Sequence, residues 1–340
     1  MEGIEFWVNT FVEPAAAAET ARRIEQAGFD GVSLVDNQAV AADPFVLLGV
    51  MGTATSALRL GTGTSNPVTR HASVLANAAA TISATSGGRM VLSVGRGLSA
   101  NFEIGLPPAS LAAFERYLAA LRGYLHGERV DEHGTPSSLK WLRRSGTPVP
   151  LEVTATGPKA IAIAARHADH LAFAVGADPD RIRWAIDVAR TARAAAGLDP
   201  DGLRFAAYVQ AYPHPDLDRA IAIARGPVSG LASLSGMAGN DGTGQRPEDR
   251  AQFELINRVY DKRRHVWSSS PQAEAMDPSF VERFAAVGPV DTVVARLRSI
   301  VAEGVTRLHL SFAGPDNDPD DVQLTNRLLA EQVVPALRAP

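Results

Sequence analysis

The chain has 340 residues, 46% of them hydrophobic and 21% charged, and a formal net charge of −4. This balance is ordinary for a soluble globular protein and excludes the basic surface that non-specific nucleic-acid binding needs. The sequence has no cysteine, no apolar run of roughly 18 residues and no recognisable signal peptide, so we expect a cytoplasmic protein without disulfides, thiolate metal sites or cysteine nucleophiles.

Short apolar strands alternate with helical patterns along the chain. Candidate strands are 4–10, 31–35, 58–64, 89–94, 149–154, 169–175, 203–210 and 306–312. Helices are predicted between them, one of the clearest at 108–126, where large apolar residues recur every three or four positions. Nearly continuous apolar strands are typical of a parallel sheet buried on both faces. Eight strand–helix units without a sharp linker therefore predict an α/β fold, a single (β/α)8 TIM barrel over 1–340.

The spacing between the seventh and eighth strands is long for a simple barrel. Residues 227–288 contain a glycine-rich run at 236–245 and helical patterns near 247–261 and 279–285. A segment of this length in a compact domain is usually functional or mobile. We interpret it as a lid or substrate wall; the alternative is a peripheral packing element, for example at an oligomer interface.

Small and polar residues stand where the predicted strands end, which is where barrels of this type place their active sites. These candidates are Asp36 and Asn37 after the second strand, Gly63, Thr64, Ser65 and Asn66 after the third, Arg96 and Ser99 after the fourth, Thr154, Thr156 and Gly157 at the fifth, and Gly176 after the sixth. We predict that Asp36 and Asn37 are the catalytic residues and that the others, apart from Ser65, bind a cofactor. Asp36 is either an acid, base or hydrogen-bonding group or a cap for its loop. Arg96 either reaches an anion or makes a structural ion pair. A flat, anionic ligand could approach the backbone here.

The end of the fifth strand predicts a phosphate site. Thr156 and Gly157 precede Pro158, which stands near the first position of a predicted helix. The free N–H groups of that helix, the threonine hydroxyl and the nearby Lys159 can hold a phosphate. The alternative is that Thr156 only caps the helix.

No motif for metal or nucleophilic catalysis is present in the sequence. The eight histidines lack metal-ligand spacing, and there is no G-x-S-x-G, no Walker loop and no G-x-G-x-x-G after a strand. This favours chemistry carried by a bound organic cofactor, which the protein positions.

The run GTGTSNPVTRH at 61–71 and the run SGGR at 86–89 closely resemble the bacterial luciferase-like superfamily. The Asn-Pro-x-Thr-Arg-His form is most similar to the branch that includes methylenetetrahydromethanopterin reductase and other enzymes using the deazaflavin coenzyme F420. Further matches at 27–30, 153–159, 284–288 and 303–312 extend the resemblance over nearly the whole chain.

The resemblance implies a non-prolyl cis peptide between Gly63 and Thr64, forming a bulge behind the deazaflavin or flavin ring. It also implies cofactor phosphate around Thr156 and Gly157, and a position near the phosphate for Arg96 in flavin-using relatives. A homodimer is the usual arrangement of the family.

Two positions depart from the related sugar-phosphate dehydrogenases, which have an Asp-His pair after strand two and a glutamate after strand four. Here Asn37 follows Asp36 and Leu98 replaces the glutamate, so oxidation of a sugar phosphate is not expected. Proton handling then falls to Asp36, to bound water, or to a group on the insertion such as Tyr260, Asp261 or His265.

These observations predict a coenzyme F420-dependent oxidoreductase that transfers a hydride between the deazaflavin C5 and a small organic substrate. One alternative is an FMN-dependent monooxygenase of the same superfamily. Another is a barrel that binds the cofactor without catalysis, which the missing Asp-His and Glu groups suggest.

Overall fold

Eight parallel strands close into a barrel in the computed structural model, which describes residues 3–132, 134–142, 149–237, 242–311 and 313–339. The barrel strands, in chain order, are β1 (Glu5–Thr10), β2 (Gly31–Leu34), β3 (Arg59–Thr62), β4 (Met90–Val94), β5 (Leu151–Ala155), β6 (His170–Phe173), β7 (Arg204–Val209) and β10 (Val305–Ser311); β8 (Ala211–Pro213) and β9 (Ala286–Gly288) pair outside it. Around the barrel the order is β1-β10-β7-β6-β5-β4-β3-β2. The predicted TIM barrel and its eight strands are confirmed.

Helices follow the strands and cover the barrel. They are α1 (Ala17–Gln26), α2 (Pro44–Ala54), α3 (Ala72–Ser86), α4 (Ser99–Glu103), α5 (Leu111–Leu125), α6 (Pro158–His167), α7 (Pro179–Ala195), α8 (Leu217–Ser235), α9 (Pro247–Arg258), α10 (Pro271–Glu274), α11 (Pro278–Phe284), α12 (Val290–Ala302), α13 (Pro319–Leu328) and α14 (Val334–Arg338). Helix α2 begins at an Asp-Pro pair, where the carboxylate of Asp43 accepts backbone N–H groups and proline takes the first helical position. None of the described helices has the length and apolarity needed to span a membrane.

Arg89, the last residue of the Ser-Gly-Gly-Arg run at the end of α3, links neighbouring segments of the fold. The guanidinium of Arg89 donates hydrogen bonds to the carbonyls of Ser86, Leu58, Gly52 and Thr55, at 2.6–3.0 Å. These carbonyls belong to the ends of α3 and α2 and to the approach to β3, so one side chain joins three segments. The resemblance at this run therefore reflects a structural role.

Side chains alternate between the barrel interior and the helices. On β10, Leu308 and Leu310 pack into the hydrophobic core between the strands and helices, whereas Arg307 and His309 point inward. Trp7 fills the interior beside Gly31 and Gly61: a Cβ at Gly61 would lie 2.8 Å from the indole ring. Inward-facing glycines thus make room for one large ring at the centre of the barrel.

The insertion has a small hydrophobic core of its own, built by β8, β9 and helices α8 to α11 around Phe253, Phe280 and Phe284. The helices expected near 247–261 and 279–285 are present as α9 and α11. The structure places the start of the insertion earlier than 227, because residue 227 is a proline inside α8 and the first additional strand is at Ala211–Pro213. A strand of three residues is too short for hydrophobic periodicity to reveal.

Candidate active site

The C-terminal ends of β3, β4 and β5 meet in one wall of small and polar residues. The backbone N–H of Ser65 donates to the carbonyl of Ser93 at 3.0 Å, and the N–H of Gly95 donates to the carbonyl of Ser65 at 2.9 Å. The hydroxyls of Ser93 and Thr154 lie 3.3 Å apart. The structure therefore brings together residues that the sequence separates by 28 to 89 positions.

The peptide bond between Gly63 and Thr64 is cis, which confirms the bond expected from the resemblance. Gly63 also has no room for a side chain, since a Cβ there would collide with Oδ1 of Asn9 and lie 3.2 Å from Cβ of Ser33. Thr64 directs its hydroxyl towards Gly95, 3.1 Å from where a Cβ of that glycine would be. Bare backbone therefore forms this part of the wall.

Asp36 and Asn37 are both buried, and their polar atoms have partners. The carboxylate of Asp36 accepts hydrogen bonds from Ser65 Oγ at 2.6 Å and from Arg70 Nε and Nη2 at 2.8 and 2.9 Å. The side-chain oxygen of Asn37 accepts from the N–H of Ala39 at 3.1 Å. The hydrogen-bonding role expected for Asp36 is observed, whereas the catalytic assignment of both residues stays a prediction.

Arg96 lies after the end of β4, and its guanidinium makes few contacts with the described residues. Its Nε donates to the carbonyl of Ala109 at 2.8 Å, and among the described residues no carboxylate lies within ion-pairing distance. Burial lowers the pKa of Arg96 below its ordinary value. An unpaired, partly buried guanidinium is suited to an anionic ligand.

The next residues of this loop pack on one another. Gly97 has a φ of +76°, and a Cβ there would lie 2.6 Å from the Asn101 amide nitrogen and 2.9 Å from Cβ of Asn66. The side-chain oxygen of Asn66 caps the loop by accepting from the N–H groups of Val68 and Thr69. Asn66 is thus occupied locally, and Ser99 begins α4 beside it.

The start of α6 has free N–H groups. The hydroxyl of Thr156 donates to the carbonyl of Ala174 at 3.2 Å, and the N-cap position, Gly157, supplies no side-chain cap. The alternative of Thr156 as a plain N-cap is therefore wrong, and the phosphate site expected there stays a prediction. Gly176, with a φ of +89°, would place a Cβ 2.8 Å from the ring of Phe284, so its close contact is with the insertion.

The interior of the barrel below the mouth, called the floor here, contains polar residues that the sequence did not predict as part of the site. Ser33 Oγ donates to Asn9 Oδ1 at 3.1 Å and lies 3.4 Å from Nδ1 of His309. The ring of Tyr208 stacks on the His309 imidazole with centroids 4.4 Å apart and an angle of 9° between the planes. The sequence contains a pattern that could have indicated them, namely polar residues at every second position of otherwise apolar strands.

A buried charge network lies beneath this floor. His309 Nε2 is 3.0 Å from Glu152 Oε1, and Arg307 lies 2.7 Å from both Glu152 Oε2 and Glu5 Oε2. Glu152 is completely buried. Burial alone would raise its pKa, but the adjacent His309 and Arg307 lower the pKa of Glu152 well below its ordinary value.

Part of the insertion crosses the mouth. Lys262 lies over the ring of Phe102, in the short helix after β4, with 3.8 Å between Nζ and the ring centroid. The backbone N–H groups of Ser268 and Ser269 donate to Asp316, after β10, at 2.8 and 2.9 Å. Because β4 and β10 occupy opposite positions in the barrel, residues 262–269 form a roof above the mouth.

These elements define a (β/α)8 protein whose C-terminal mouth has a wall of small and polar residues and is covered by residues 262–269. The luciferase-like monooxygenase family matches residues 5–307, and the chain belongs to this family.

Its relatives include named F420 enzymes. The 5,10-methylenetetrahydromethanopterin reductase of Methanolobus tindarius is 34% identical over 172 residues, 49% of this chain and 52% of the relative. The F420-dependent glucose-6-phosphate dehydrogenase of Beutenbergia cavernae is 37% identical over 163 residues, 43% and 48% of the two chains. The chain thus spans about half the length of these two relatives, whereas the reductase of Archaeoglobus fulgidus is 25% identical over 92% of this chain and 93% of its own.

Two solved structures share the fold. The F420-dependent tetrahydromethanopterin reductase from Methanopyrus kandleri has a TM-score of 0.75 and 21% identity, covering 98% of this chain and 99% of its own. An F420-dependent secondary alcohol dehydrogenase in complex with an F420–acetone adduct has a TM-score of 0.77 and 19% identity, covering 99% and 100%.

Proposed function

We propose that this chain is a coenzyme F420-dependent oxidoreductase that transfers a hydride between the deazaflavin C5 and a small organic substrate. The observation that carries the proposal is the stretch of bare backbone at Gly63 and Thr64, where residue 63 has no room for a side chain. Relatives named as F420-dependent enzymes support it.

The residues of the mouth fit such a cofactor. Gly63 and Thr64 offer bare backbone to a flat ring, and a Cβ at residue 63 would collide with Asn9 and displace this backbone. Arg96 and the free N–H groups after Thr156 and Gly157 would hold the phosphate. Asn66, Ser99, Thr154 and Gly176 would line the rest of the cofactor-binding site. When bound, the deazaflavin supplies or accepts the hydride.

The protein contributes position and exclusion of water. The roof at 262–269 lies over the mouth, so the substrate is held between it and the wall, which gives the insertion the role of a lid or substrate wall. Asp36 acts on the site through Ser65 and Arg70. Tyr260, Asp261 and His265 are the groups on the insertion proposed to handle a proton, and Tyr260 and His265 are hydrogen-bonded to each other.

We also propose that the chain is one luciferase-like domain, is cytoplasmic and forms a homodimer through α2. Val46 and Val50, one turn apart on this helix, are 66% and 43% exposed, and Val74 at the start of α3 is 60% exposed. A helix that is apolar on every face is normally covered. Sedimentation should give twice the chain mass of 35.9 kDa, and Val46→Glu should give the monomer. A monomeric wild-type protein would contradict the dimer.

Turnover tests the proposed function. Reduced F420 is incubated without oxygen with a panel of unsaturated ketones, imines and ketones, and its oxidation is followed by absorbance. Oxidation that depends on one acceptor class supports the proposal. An FMN-dependent monooxygenase would instead need oxygen, and cofactor binding without turnover on any acceptor would indicate the non-catalytic barrel.

A further inference from the structure

The positive and negative charges inside the barrel nearly cancel. Among the buried or partly buried members of the network, Glu5 and Glu152 contribute two negative charges and Arg307 one positive charge, with 2.7 Å between Arg307 and each carboxylate. Arg59 lies 3.6 Å from Glu5, but its side chain is 45% exposed, so solvent screens its charge. A carboxylate buried as completely as Glu152 requires a compensating partner. A proton on the His309 imidazole, 3.0 Å from Glu152, brings the sum of these charges to zero.

The surroundings of His309 favour a cation. The face of the imidazole stacks on the Tyr208 ring, whose π-electrons attract positive charge. Nδ1 faces Ser33 Oγ, whose hydroxyl in turn donates to Asn9. Trp7, Asn9, Ser33, Glu152 and Tyr208 face His309 from the neighbouring strands, with Arg307 on its own strand. Two more titratable or charged groups reach the network from other strands, namely His170 of β6, 2.9 Å from Arg307, and Arg59 of β3, 3.6 Å from Glu5.

His309 is also the member of the network nearest the mouth. Asn9 and Ser33 separate it from Gly63, because a Cβ at residue 63 would touch both of these side chains. Glu152 and Arg307 lie on its other side, towards the N-terminal end of the barrel. A protonated His309 therefore presents the positive end of a buried ion pair to the cofactor wall.

We propose that His309, held protonated by Glu152, is a positioning residue that favours the reduced state of the bound deazaflavin. Adding a hydride to the oxidised ring adds two electrons and one proton, so the bound cofactor becomes more negative by one charge. A cation in a water-poor interior stabilises that additional charge. This inference rests on the proposed function, because it needs the deazaflavin at the Gly63–Thr64 wall.

The test compares affinities for oxidised and reduced F420. In His309→Gln, the ratio of the oxidised to the reduced dissociation constant should fall about tenfold, which for a two-electron couple is a drop of about 30 mV in the potential of the bound cofactor. Tyr208→Phe, in the same layer, removes a hydroxyl without changing charge and should leave the ratio within about twofold. Equal shifts in both variants would overturn the inference, because packing would then explain the effect.

Two further measurements distinguish the loss of a positive charge from a loss of folding and test the protonation of His309 directly. The double variant Glu152→Gln, His309→Gln leaves a neutral pair above the intact Glu5–Arg307 pair, so it protects the fold, and it should also lower the ratio. Nitrogen-15 NMR of histidine-labelled wild-type protein, assigned with the single variant, should show both ring nitrogens of His309 protonated at pH 7.5. A neutral ring would overturn the inference even if F420 did not bind, whereas a protonated ring without F420 binding would overturn the proposed function and with it the cofactor role.

Discussion

The guanidinium of Arg70 donates to both carboxylate oxygens of Asp36, at 2.8 and 2.9 Å, across 34 positions of sequence. The same carboxylate accepts from Ser65 Oγ at 2.6 Å. This arrangement joins the loop after β2 to the loop after β3, which begins with the cis peptide. Asp36 thereby holds the loop that contains Gly63 and Thr64 in position through Ser65 and Arg70.

Asp36→Asn tests this role. The amide keeps the size of the side chain but loses the charge-assisted pair, so the free energy of unfolding should fall by about 2–4 kcal/mol and F420 affinity should fall with it. Asp43→Asn is the matched control, because Asp43 pairs with the same arginine but its side chain is 45% exposed, against 5% for Asp36. It should cost less than about 1 kcal/mol in urea unfolding. Equal losses would show that burial of Asp36 does not matter.

Gly63→Ala tests the wall. The added methyl group would collide with Asn9 and crowd Ser33, so the bulge must move and F420 should bind at least about tenfold more weakly, a loss of about 1.4 kcal/mol. Gly3→Ala is the control, since nothing lies within 4 Å of a Cβ there. Fluorescence titration measures both. Unchanged affinity in Gly63→Ala would remove this glycine from the cofactor site.

Arg96→Gln tests the anion site. Removing an unpaired guanidinium should weaken F420 binding and make the affinity less dependent on salt, because one charge contact to the ligand is lost. Arg190→Gln, on the outer helix α7 and paired with Asp201, should change neither quantity. Titrations at low and high salt provide the measurement. A salt dependence that survives in Arg96→Gln would place the phosphate elsewhere.

Stability should decrease below neutral pH. Burial, with the nearby Arg307, lowers the pKa of His170 from 6.5 to about 4, and burial lowers the pKa of His265 to about 4. Between pH 6.5 and 4 the unfolded chain binds these protons and the folded chain does not, so folding stability falls as the pH falls through that window. We expect a loss of about 1–2 kcal/mol per histidine between pH 7.5 and 5.

Urea unfolding of His170→Gln and of His126→Gln separates this effect from general acid sensitivity. His170→Gln should reduce the loss of stability between the two pH values, because it removes one of the two titrating histidines. Arg307 can still donate a hydrogen bond to the glutamine side-chain oxygen, so the variant should fold. His126 lies exposed at the end of α5, and its replacement should leave the pH dependence intact. Identical pH profiles for wild type and His170→Gln would contradict the assignment.

The barrel was predictable because each strand is a short apolar run of four to seven residues between helical patterns. The start of the insertion was not, because β8 and β9 have three residues each and pair across more than 70 positions. Helix α8 also continues through Pro227, where sequence patterns favour a break.

The wall of the site was predictable in part. Glycine and short polar residues at strand ends indicated it, and the resemblance supplied the cis bond at Gly63. The network under the floor was not found, because Glu152 and His309 are 157 positions apart and neither belongs to a motif. Polar residues two apart on a buried strand, as Arg307 and His309 are, carry the signal that the barrel interior is charged.

Binding of the purified protein to coenzyme F420 and to FMN, measured side by side by fluorescence titration, tests the proposed cofactor most directly. An F420-dependent oxidoreductase should bind F420 with micromolar or tighter affinity and FMN at least about tenfold more weakly. Preference for FMN would contradict the proposal and would favour an oxygen-using monooxygenase.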